Sequence, residues 1–150
     1  MRKERGFTLI ELLIVVAIIG IVAAVAIPNM LNSIDRSRQK KTMADMRSIA
    51  NALEQYSIDN NYYPISASQS FVSTSISTYL SPQYSKVIPD HDGWMWDLRY
   101  GTSSSGSDYT LRSFGKDGIK NGSSGTTQDF NCDIIMQIGQ FTAWPEGLQS

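Results

Sequence analysis

The chain has 150 residues, 41% of them hydrophobic, and a formal net charge of -1, which suits one modest domain with a short appendage. The sequence pI is near 5.7 and no Lys/Arg stripe accompanies a stacking platform, so nothing indicates a nucleic-acid partner. Cys132 is the single cysteine, which excludes a disulfide within the chain, and with one histidine, His91, little material remains for zinc or catalytic chemistry.

The N-terminal segment begins with the basic residues Arg2, Lys3 and Arg5 and continues into a nearly apolar run from Phe7 to Ile27. A run of this length is sufficient to cross a bilayer core, which takes about 20 residues. Positive charge before such a run keeps the N-terminus in the cytoplasm and sends the following domain across the membrane. We therefore expect one membrane-spanning helix at 7–27.

Two positions in this segment have features of a processing site. An ordinary secretory signal is cut after its apolar run, and Ala24 and Ala26 have the required spacing, but Pro28 follows at once and the helical pattern continues. The more distinctive position is Gly6-Phe7, before the run. A cut there removes only the basic leader and leaves the apolar helix on the mature protein.

Glu11 is the one ionisable residue inside the apolar run. An acidic side chain in a spanning segment costs about 2.5–3.5 kcal/mol, so it usually marks a function and has a partner. Because Glu11 is near the start of the run, a simpler interpretation is an interfacial carboxylate that reaches the membrane surface.

The N-terminal motif resembles the class III signal of type IV pilins and type II secretion pseudopilins in the residues Gly6, Phe7, Thr8, Leu9, Ile10 and Glu11, followed by Pro28. The resemblance implies cleavage after Gly6 by prepilin peptidase and N-methylation of the new N-terminal Phe7. It also implies that Glu11 meets the N-terminal amine of a neighbouring subunit during filament assembly. A buried carboxylate needs such a cation, and methylation keeps the charge.

The rest of the apolar run has the composition of a packing helix. Gly20 and Ala24 form a small-xxx-small pair that lets helices approach closely, although the same residues also suit a lipid-facing surface. Pro28 is expected to end or bend this first half, since it lacks an N–H and clashes one turn back.

Beyond Pro28 the helical pattern resumes and becomes amphipathic, with apolar residues at three- and four-residue spacings as far as Tyr56. The run Asp59-Asn60-Asn61, followed by Pro64, predicts the helix end. Residues 65–90 are predicted to form a loop with a short helix or two.

The C-terminal half carries strand patterns. Bulky residues alternate at 94–100 and 109–114 on either side of a Gly/Ser-rich tip, which predicts a β-hairpin, and a third strand is expected within Cys132–Phe141. Trp94 and Trp96 suggest a binding platform, but packing in the core and on the sheet face is the favoured interpretation. The predicted fold is α+β and pilin-like: a long N-terminal helix, membrane-spanning in its first half and amphipathic in its second, packed on a small antiparallel sheet.

Residues 113–134 form a second distinctive region, which concentrates Gly, Asn, Asp and Ser and carries Asp117, Asp129 and Asp133. Calcium takes about six to eight oxygen ligands from carboxylates and carbonyls, and a folded-back loop supplies them. The EF-hand spacing and the phosphate-binding glycine pattern are both absent. From the residues alone, a calcium site and a solvated surface loop are equally open.

This region and its surroundings resemble the C-terminal half of the general secretion pathway protein G family in the segments Asp92-Gly93-Trp94, Ser113-Phe114-Gly115-Lys116-Asp117-Gly118 and Asn131-Cys132-Asp133-Ile134. In that family the matching loop binds calcium, which implies side-chain ligation by Asp117 and Asp133 and backbone ligation by Phe114 and Ile119. The family often has an acidic residue where Asn131 stands; Asn131 can still ligate through its amide oxygen, and Asp129 is a replacement carboxylate. The family also has D-P-W-G where this chain has Asp92-Gly93-Trp94-Met95.

The resemblance implies a structural filament subunit and no enzyme. The first hypothesis is the major pseudopilin of a type II secretion system, assembled from the inner membrane to drive protein export, with a calcium clamp in place of a cysteine pair. The alternative is a type IV pilin of a surface fibre for adhesion, twitching motility or DNA uptake. A membrane-anchored enzyme or binding domain is a third option that no nucleophile–base pair in the sequence supports.

This hypothesis has consequences for organisation and partners. We expect a leader at 1–6, a transmembrane and filament-core helix at 7–27, and a periplasmic globular domain at 28–150. The expected partners are further copies of the chain, the bacterial inner membrane, prepilin peptidase, minor pseudopilins and the secretion system's inner-membrane platform. No nucleic acid is expected among them.

Overall fold

The protein is described by a computed structural model that covers residues 6–66, 69–121 and 129–146, with the backbone alone at 125–127. The helices are α1 Leu9–Asn60, α2 Val72–Ser75 and α3 Ser77–Leu80. The strands are β1 Ser70–Phe71, β2 Arg99–Thr102, β3 Tyr109–Ser113, β4 Gly125–Thr127, β5 Ile134–Gln137 and β6 Gln140–Pro145. The chain divides into two compact units, the first ending at Ile34 and the second beginning at Asp35.

Helix α1 continues without interruption through Pro28, which therefore does not end it. Pro28 has no N–H, so the carbonyl of Ala24 lacks its usual partner inside the helix. The helix ends at Asn60, where the sequence predicts a stop. Asn61 takes a left-handed conformation (φ 63°) and donates its N–H to the carbonyl of Ser57 at 2.8 Å.

The strands form one sheet in the order β1-β2-β3-β5-β6-β4. All neighbours pair antiparallel except β4 and β6, which are parallel. Tyr100 on β2 lies opposite Leu111 on β3, and Leu111 lies opposite Met136 on β5. The α+β prediction is confirmed, as are the short helices between 65 and 90, whereas the short strands β1 and β4 were not expected.

The predicted first strand, 94–100, is wrong over most of its length, because β2 begins only at Arg99. Asp92 is the reason: its Oδ1 accepts the N–H groups of Trp94 and Trp96, each at 2.9 Å. The N–H of Asp92 in turn donates to the carbonyl of Trp96 at 2.8 Å. These bonds close a turn, so the chain becomes extended only after it.

The predicted single strand within Cys132–Phe141 is a hairpin, β5 and β6. The chain reverses at Ile138 and Gly139, which both have positive φ, 44° and 72°. Positive φ at both central residues is the geometry of a tight two-residue turn that follows the twist of the strands.

The hydrophobic core of the second unit lies between α1 and the sheet. Met46, Ile49 and Leu53 recur at helical spacing and are fully buried. They belong to one cluster with the buried residues Tyr100 and Leu111 of the sheet. Burial of each such side chain contributes about 1.5–3 kcal/mol, so the amphipathic half of α1 packs on the sheet as the sequence predicts.

Met95→Gly is expected to raise the free energy of unfolding by about 0.5–1 kcal/mol. Met95 has φ 72° and is 72% exposed, so its side chain contributes little packing to offset a strained backbone. The left-handed conformation costs a non-glycine residue about 1–2 kcal/mol, which the glycine variant regains. Glycine also loses more conformational entropy on folding, and this offsets about 0.5–1 kcal/mol of the gain. Thermal unfolding of the full chain in detergent measures the change. Met95→Ala keeps the strain and is the control; equal stability of both variants would contradict this account.

Candidate functional site

The start of α1 is a capping box made by Thr8 and Glu11. The N–H and Oγ1 of Thr8 donate to Glu11 Oε2 at 2.9 and 2.8 Å, and the N–H of Glu11 donates to Thr8 Oγ1 at 3.3 Å. This reciprocal pairing satisfies N–H groups that the first turn of a helix leaves without partners. Glu11 is therefore held at the helix tip beside Phe7, and both are exposed.

The side chains of the apolar segment that follows this capping box are exposed. Phe7 is 81% exposed, and the large hydrophobic residues that follow it as far as Ile27 are exposed too. By length and composition, α1 is apolar enough near its N-terminus to cross a membrane. An apolar surface of this extent requires lipid or protein to cover it.

Three further predicted residues lie on or before this segment. At Gly6 and Gly20, an added Cβ atom would meet nothing within 4 Å beyond the adjoining backbone. Gly20 and Ala24 are one turn apart, hence on the same face of α1, and both are exposed. This small-residue face is open to another helix.

At the other end of the chain, the loop after β3 is tied to neighbouring elements. Trp96 lies over Gly118, where a Cβ atom would meet the indole ring at 2.6 Å, and its Nε1 donates to the carbonyl of Lys116 at 3.2 Å. The φ of 67° at Gly118 likewise requires glycine. Trp94 packs against the core as predicted, but the prediction is wrong for Trp96, which covers the loop and is 47% exposed.

Lys116 and Trp94 also fasten this region to α1 through Asp35. Lys116 Nζ donates to Asp35 Oδ2 at 2.8 Å, and Trp94 Nε1 donates to Asp35 Oδ1 at 3.2 Å. Burial raises the pKa of Asp35, but these bonds and the ammonium charge outweigh it and hold the pKa below its ordinary value. The carboxylate is thus the stable form, and it fixes the start of the loop.

The structure brings Asp117 and Asp133 together around Asn121. The main-chain N–H of Asn121 donates to Asp133 Oδ1 at 3.0 Å. Its side-chain Nδ2 donates to the carbonyl of Asn131 at 3.0 Å and approaches Asp117 Oδ2 at 3.4 Å. Two carboxylates and one carbonyl therefore converge on a single residue. Oxygens of these kinds are the ligands that calcium prefers.

Asp133 has the environment of a carboxylate that lacks a sufficient counter-ion. It is 1% exposed, and its Oδ2 is a buried atom without a hydrogen-bond partner among the described residues. Arg112 Nη1 lies 3.5 Å away, long for a charged hydrogen bond. Burial raises the pKa of Asp133, the N–H of Asn121 and the charge of Arg112 lower it, and the charge of Asp117 raises it further. A bound divalent cation fits this combination, since it would remove the cost of burying the charge.

The remaining predicted ligands are placed differently. Both oxygens of the exposed Asp129 accept hydrogen bonds from Asn131, at 3.1 Å from its N–H and 3.0 Å from Nδ2. Asn131 thus offers its carbonyl, and not its amide, to Asn121. Phe114 precedes the turn glycine Gly115, and the N–H of Ile119 donates to Asp117 Oδ1 at 2.9 Å. In the described parts of the chain, no three His, Cys, Asp or Glu side chains are grouped as metal ligands.

Sequence reasoning missed two residues that organise these sites. For Thr8 the sequence carries a signal, because Thr8-x-x-Glu11 has the spacing of a capping box. Asn121 had no such signal, because its bonds depend on the path of the loop between Asp117 and Asp133.

Comparison with known proteins agrees with both ends of the chain. Residues 1–27 match the prokaryotic N-terminal methylation motif, and residues 29–133 match the family described as type II secretion system (T2SS), protein G.

Individual relatives are similar over most of their length. The chain is 33% identical over 135 residues to the type II secretion system core protein G of Vibrio cholerae, covering 86% of this chain and 91% of the relative. It is 32% identical over 140 residues to the protein of that name from Pseudomonas aeruginosa, covering 88% and 97%. For the protein from Klebsiella pneumoniae the identity is 30% over 125 residues, covering 79% and 81%. The chain therefore belongs to the type II secretion system protein G family.

Proposed function

We propose that this protein is the major pseudopilin of a type II secretion system. It is a structural subunit that polymerises from the inner membrane into a periplasmic filament and so drives protein export. It performs no catalysis itself. The observation that carries the proposal is the match of residues 29–133 to the protein G family, directly behind an N-terminal methylation motif.

The exposed apolar segment of α1 has two roles in this function. Before assembly it anchors the subunit in the inner membrane, with the basic leader in the cytoplasm and the second unit in the periplasm. In the filament it packs against copies of itself, and the Gly20–Ala24 face permits close approach of helices. Both roles keep the apolar side chains out of water.

Assembly depends on the tip of α1. Prepilin peptidase cuts after Gly6, and the amine of Phe7 is then free and becomes N-methylated. That amine is positively charged, and in the filament it would lie beside Glu11 of an incoming subunit. The capping box supports the pairing, because Thr8 holds the carboxylate at the helix tip, where a partner can reach it. When a carboxylate and a charged amine are buried together, each neutralises the other, and either one alone would be a costly buried charge.

The loop after β3 is proposed to hold calcium. Asp117 and Asp133 would ligate it through their side chains, helped by backbone carbonyls such as those of Asn131, Phe114 and Ile119. Bound calcium would supply the positive charge that buried Asp133 lacks and would brace a chain that has no disulfide.

A strain that lacks the gene for this chain tests the proposed export function against the surface-fibre alternative. We expect its secreted enzymes to accumulate inside the cell, while surface fibres and twitching motility stay normal. Export should return with a plasmid copy of the wild-type gene. Normal export together with loss of surface fibres would favour the type IV pilin.

Gly6→Leu is expected to block processing. A bulky side chain before the scissile bond should prevent cleavage, so the leader stays attached and the full-length precursor accumulates in the membrane. Mass spectrometry of the membrane fraction measures this directly: wild type should begin with N-methylated Phe7, and the variant should contain residues 1–6. Gly20→Leu, a glycine replacement beyond the cut, is the control and should be processed. A processed Gly6→Leu product would refute the assignment.

A further inference from the structure

The sheet carries an arginine pair on the face that does not meet α1. Arg99 on β2 lies directly opposite Arg112 on β3. Their neighbours Tyr100 and Leu111 are fully buried in the core, so the alternation of strands directs the two arginines to the other face. Like charges directly opposite each other across two strands are destabilising. An anion near the two arginines would offset this repulsion.

Within the described residues, the charge of Arg112 is only partly neutralised. Arg112 is 16% exposed in its side chain, and its single ion-pair partner in the described residues is Asp133, 3.5 Å from Nη1. Its Nε and Nη1 are buried and have no hydrogen-bond acceptor among the residues that the structure describes. These donors have been removed from water without replacement, a costly state for a charged group.

Arg99 is held in place but is not neutralised. The guanidinium carbon lies 3.7 Å from the centre of the Phe71 ring and 5.6 Å from that of Phe114, in cation–π contact with both. No carboxylate pairs with it in the part of the chain that the structure describes, and its buried Nε has no acceptor. The two rings fix a guanidinium with free donors.

Both arginines line one open pocket of about 380 Å³, which also includes Gln69, Thr110 and Gln137. Its volume is in the range of small-molecule sites. The acidic residue on its lining is Asp108, which already accepts the N–H of Ser103 at 3.0 Å. Gln69 adds a buried amide oxygen to which no described residue donates a hydrogen bond. The pocket is thus lined by two arginines and a glutamine that each carry a buried polar atom without a hydrogen-bond partner among the described residues.

We propose that this pocket binds a small oxyanion, a phosphate or carboxylate group, between Arg99 and Arg112. Guanidinium donors match the oxygens of such groups in geometry and charge. A ligand that also bears a hydroxyl, as hydrogen phosphate does, satisfies Gln69. The group comes either from a free anion or from an acidic side chain on a second copy of the chain. The site adjoins the calcium loop through the Arg112–Asp133 ion pair but is separate from the assembly motif, and the proposed function does not depend on it.

The test is a titration of the full chain in detergent with inorganic phosphate, with sodium chloride at equal ionic strength for comparison. The Nε–Hε resonances of arginine report the binding. We expect saturable shifts for Arg99 and Arg112 with phosphate and none with chloride. Arg112→Gln and Arg99→Gln should each weaken the apparent affinity about tenfold, the loss of one charged hydrogen bond. Arg47→Gln removes an equal charge outside the pocket and should have no effect.

A second variant keeps the test independent of the folding of the arginine variants. Gln137→Glu places a carboxylate in the pocket from an exposed position, so it should abolish the phosphate shifts and raise the melting temperature. A dilution series without phosphate separates the two sources, since shifts that vary with protein concentration point to a second copy. Resonances that respond to neither phosphate nor concentration, or a loss of response in Arg47→Gln as large as in Arg112→Gln, would overturn the proposal.

Discussion

Glu11→Ala is expected to abolish filament assembly while membrane insertion and processing stay normal. The variant removes the carboxylate that would meet the Phe7 amine of a neighbouring subunit, so one buried amine per subunit remains without its partner. Breaking a buried pair in this way costs about 3–5 kcal/mol, which weakens association of subunits about 100-fold or more. Electron microscopy of sheared filaments measures assembly, and mass spectrometry of the membrane fraction checks processing.

Two further variants separate the charge of Glu11 from its role in the capping box. Glu11→Gln keeps an acceptor at the third helical position and therefore keeps the cap, but it removes the charge. Thr8→Ala removes the hydroxyl that Glu11 binds and keeps the charge. We expect Glu11→Gln to fail in assembly as Glu11→Ala does, and Thr8→Ala to assemble. If Glu11→Gln formed normal filaments, the capping role alone would explain Glu11, and the ion pair would be wrong.

Removal of calcium is expected to lower the melting temperature of the protein by about 5–10 °C. A ligand at 100 times its dissociation constant stabilises the folded state by about 2.7 kcal/mol, and each kcal/mol corresponds to about 2–4 °C for a chain of this size. Trp96 covers the loop at Gly118, so tryptophan fluorescence of the full chain in detergent follows its unfolding. The comparison is between excess calcium and excess chelator.

Variants of the converging carboxylates identify the calcium ligands. Asp117→Asn and Asp133→Asn should each remove most of the difference between the melts with calcium and with chelator. The difference is the relevant quantity, because loss of the Asp133 charge also affects Arg112. Asp45→Asn removes a carboxylate from α1 and should keep the full difference. Identical melts of the wild type with calcium and with chelator would remove the metal site from this account.

The parts of the fold that sequence predicts well are those that local chemistry determines. The spacing of Met46, Ile49 and Leu53 marks the buried face of α1, and Asn61 marks its end by taking a conformation that asparagine tolerates. The strand pattern at 109–114 also corresponds closely to β3, since alternation on a half-buried strand is a strong local signal.

The errors arise where distant contacts or unusual backbone conformations decide the structure. Because Asp92 closes a turn, β2 begins later than the sequence predicts. The bulky residues at 94–98 are typical of a strand and do not indicate this turn. Ile138 lies in the turn between β5 and β6 with φ 44°, a conformation that a β-branched residue rarely adopts. In the sequence, therefore, only Gly139 indicates a hairpin at this position. Strand β1 is two residues long and exists only through its pairing with β2.

The candidate sites divide in the same way. Gly6, Phe7 and Glu11 are neighbours in sequence, so their relation is fixed by one helix start and is readable in advance. Asp117 and Asp133 come together across a loop, and the sequence indicates the composition of that site but not its arrangement. Asn121 occupies its centre, and Asn131 takes part through its backbone, because the path of the loop decides which atoms meet.

The central claim is that mature subunits polymerise through the tip of α1, and a cryo-EM reconstruction of filaments formed by this chain tests it most directly. We expect density to begin at a methylated Phe7, with its amine about 3 Å from the Glu11 carboxylate of an adjacent subunit. Filaments whose subunits retain residues 1–6, or in which Glu11 lies far from every neighbouring amine, would contradict the account.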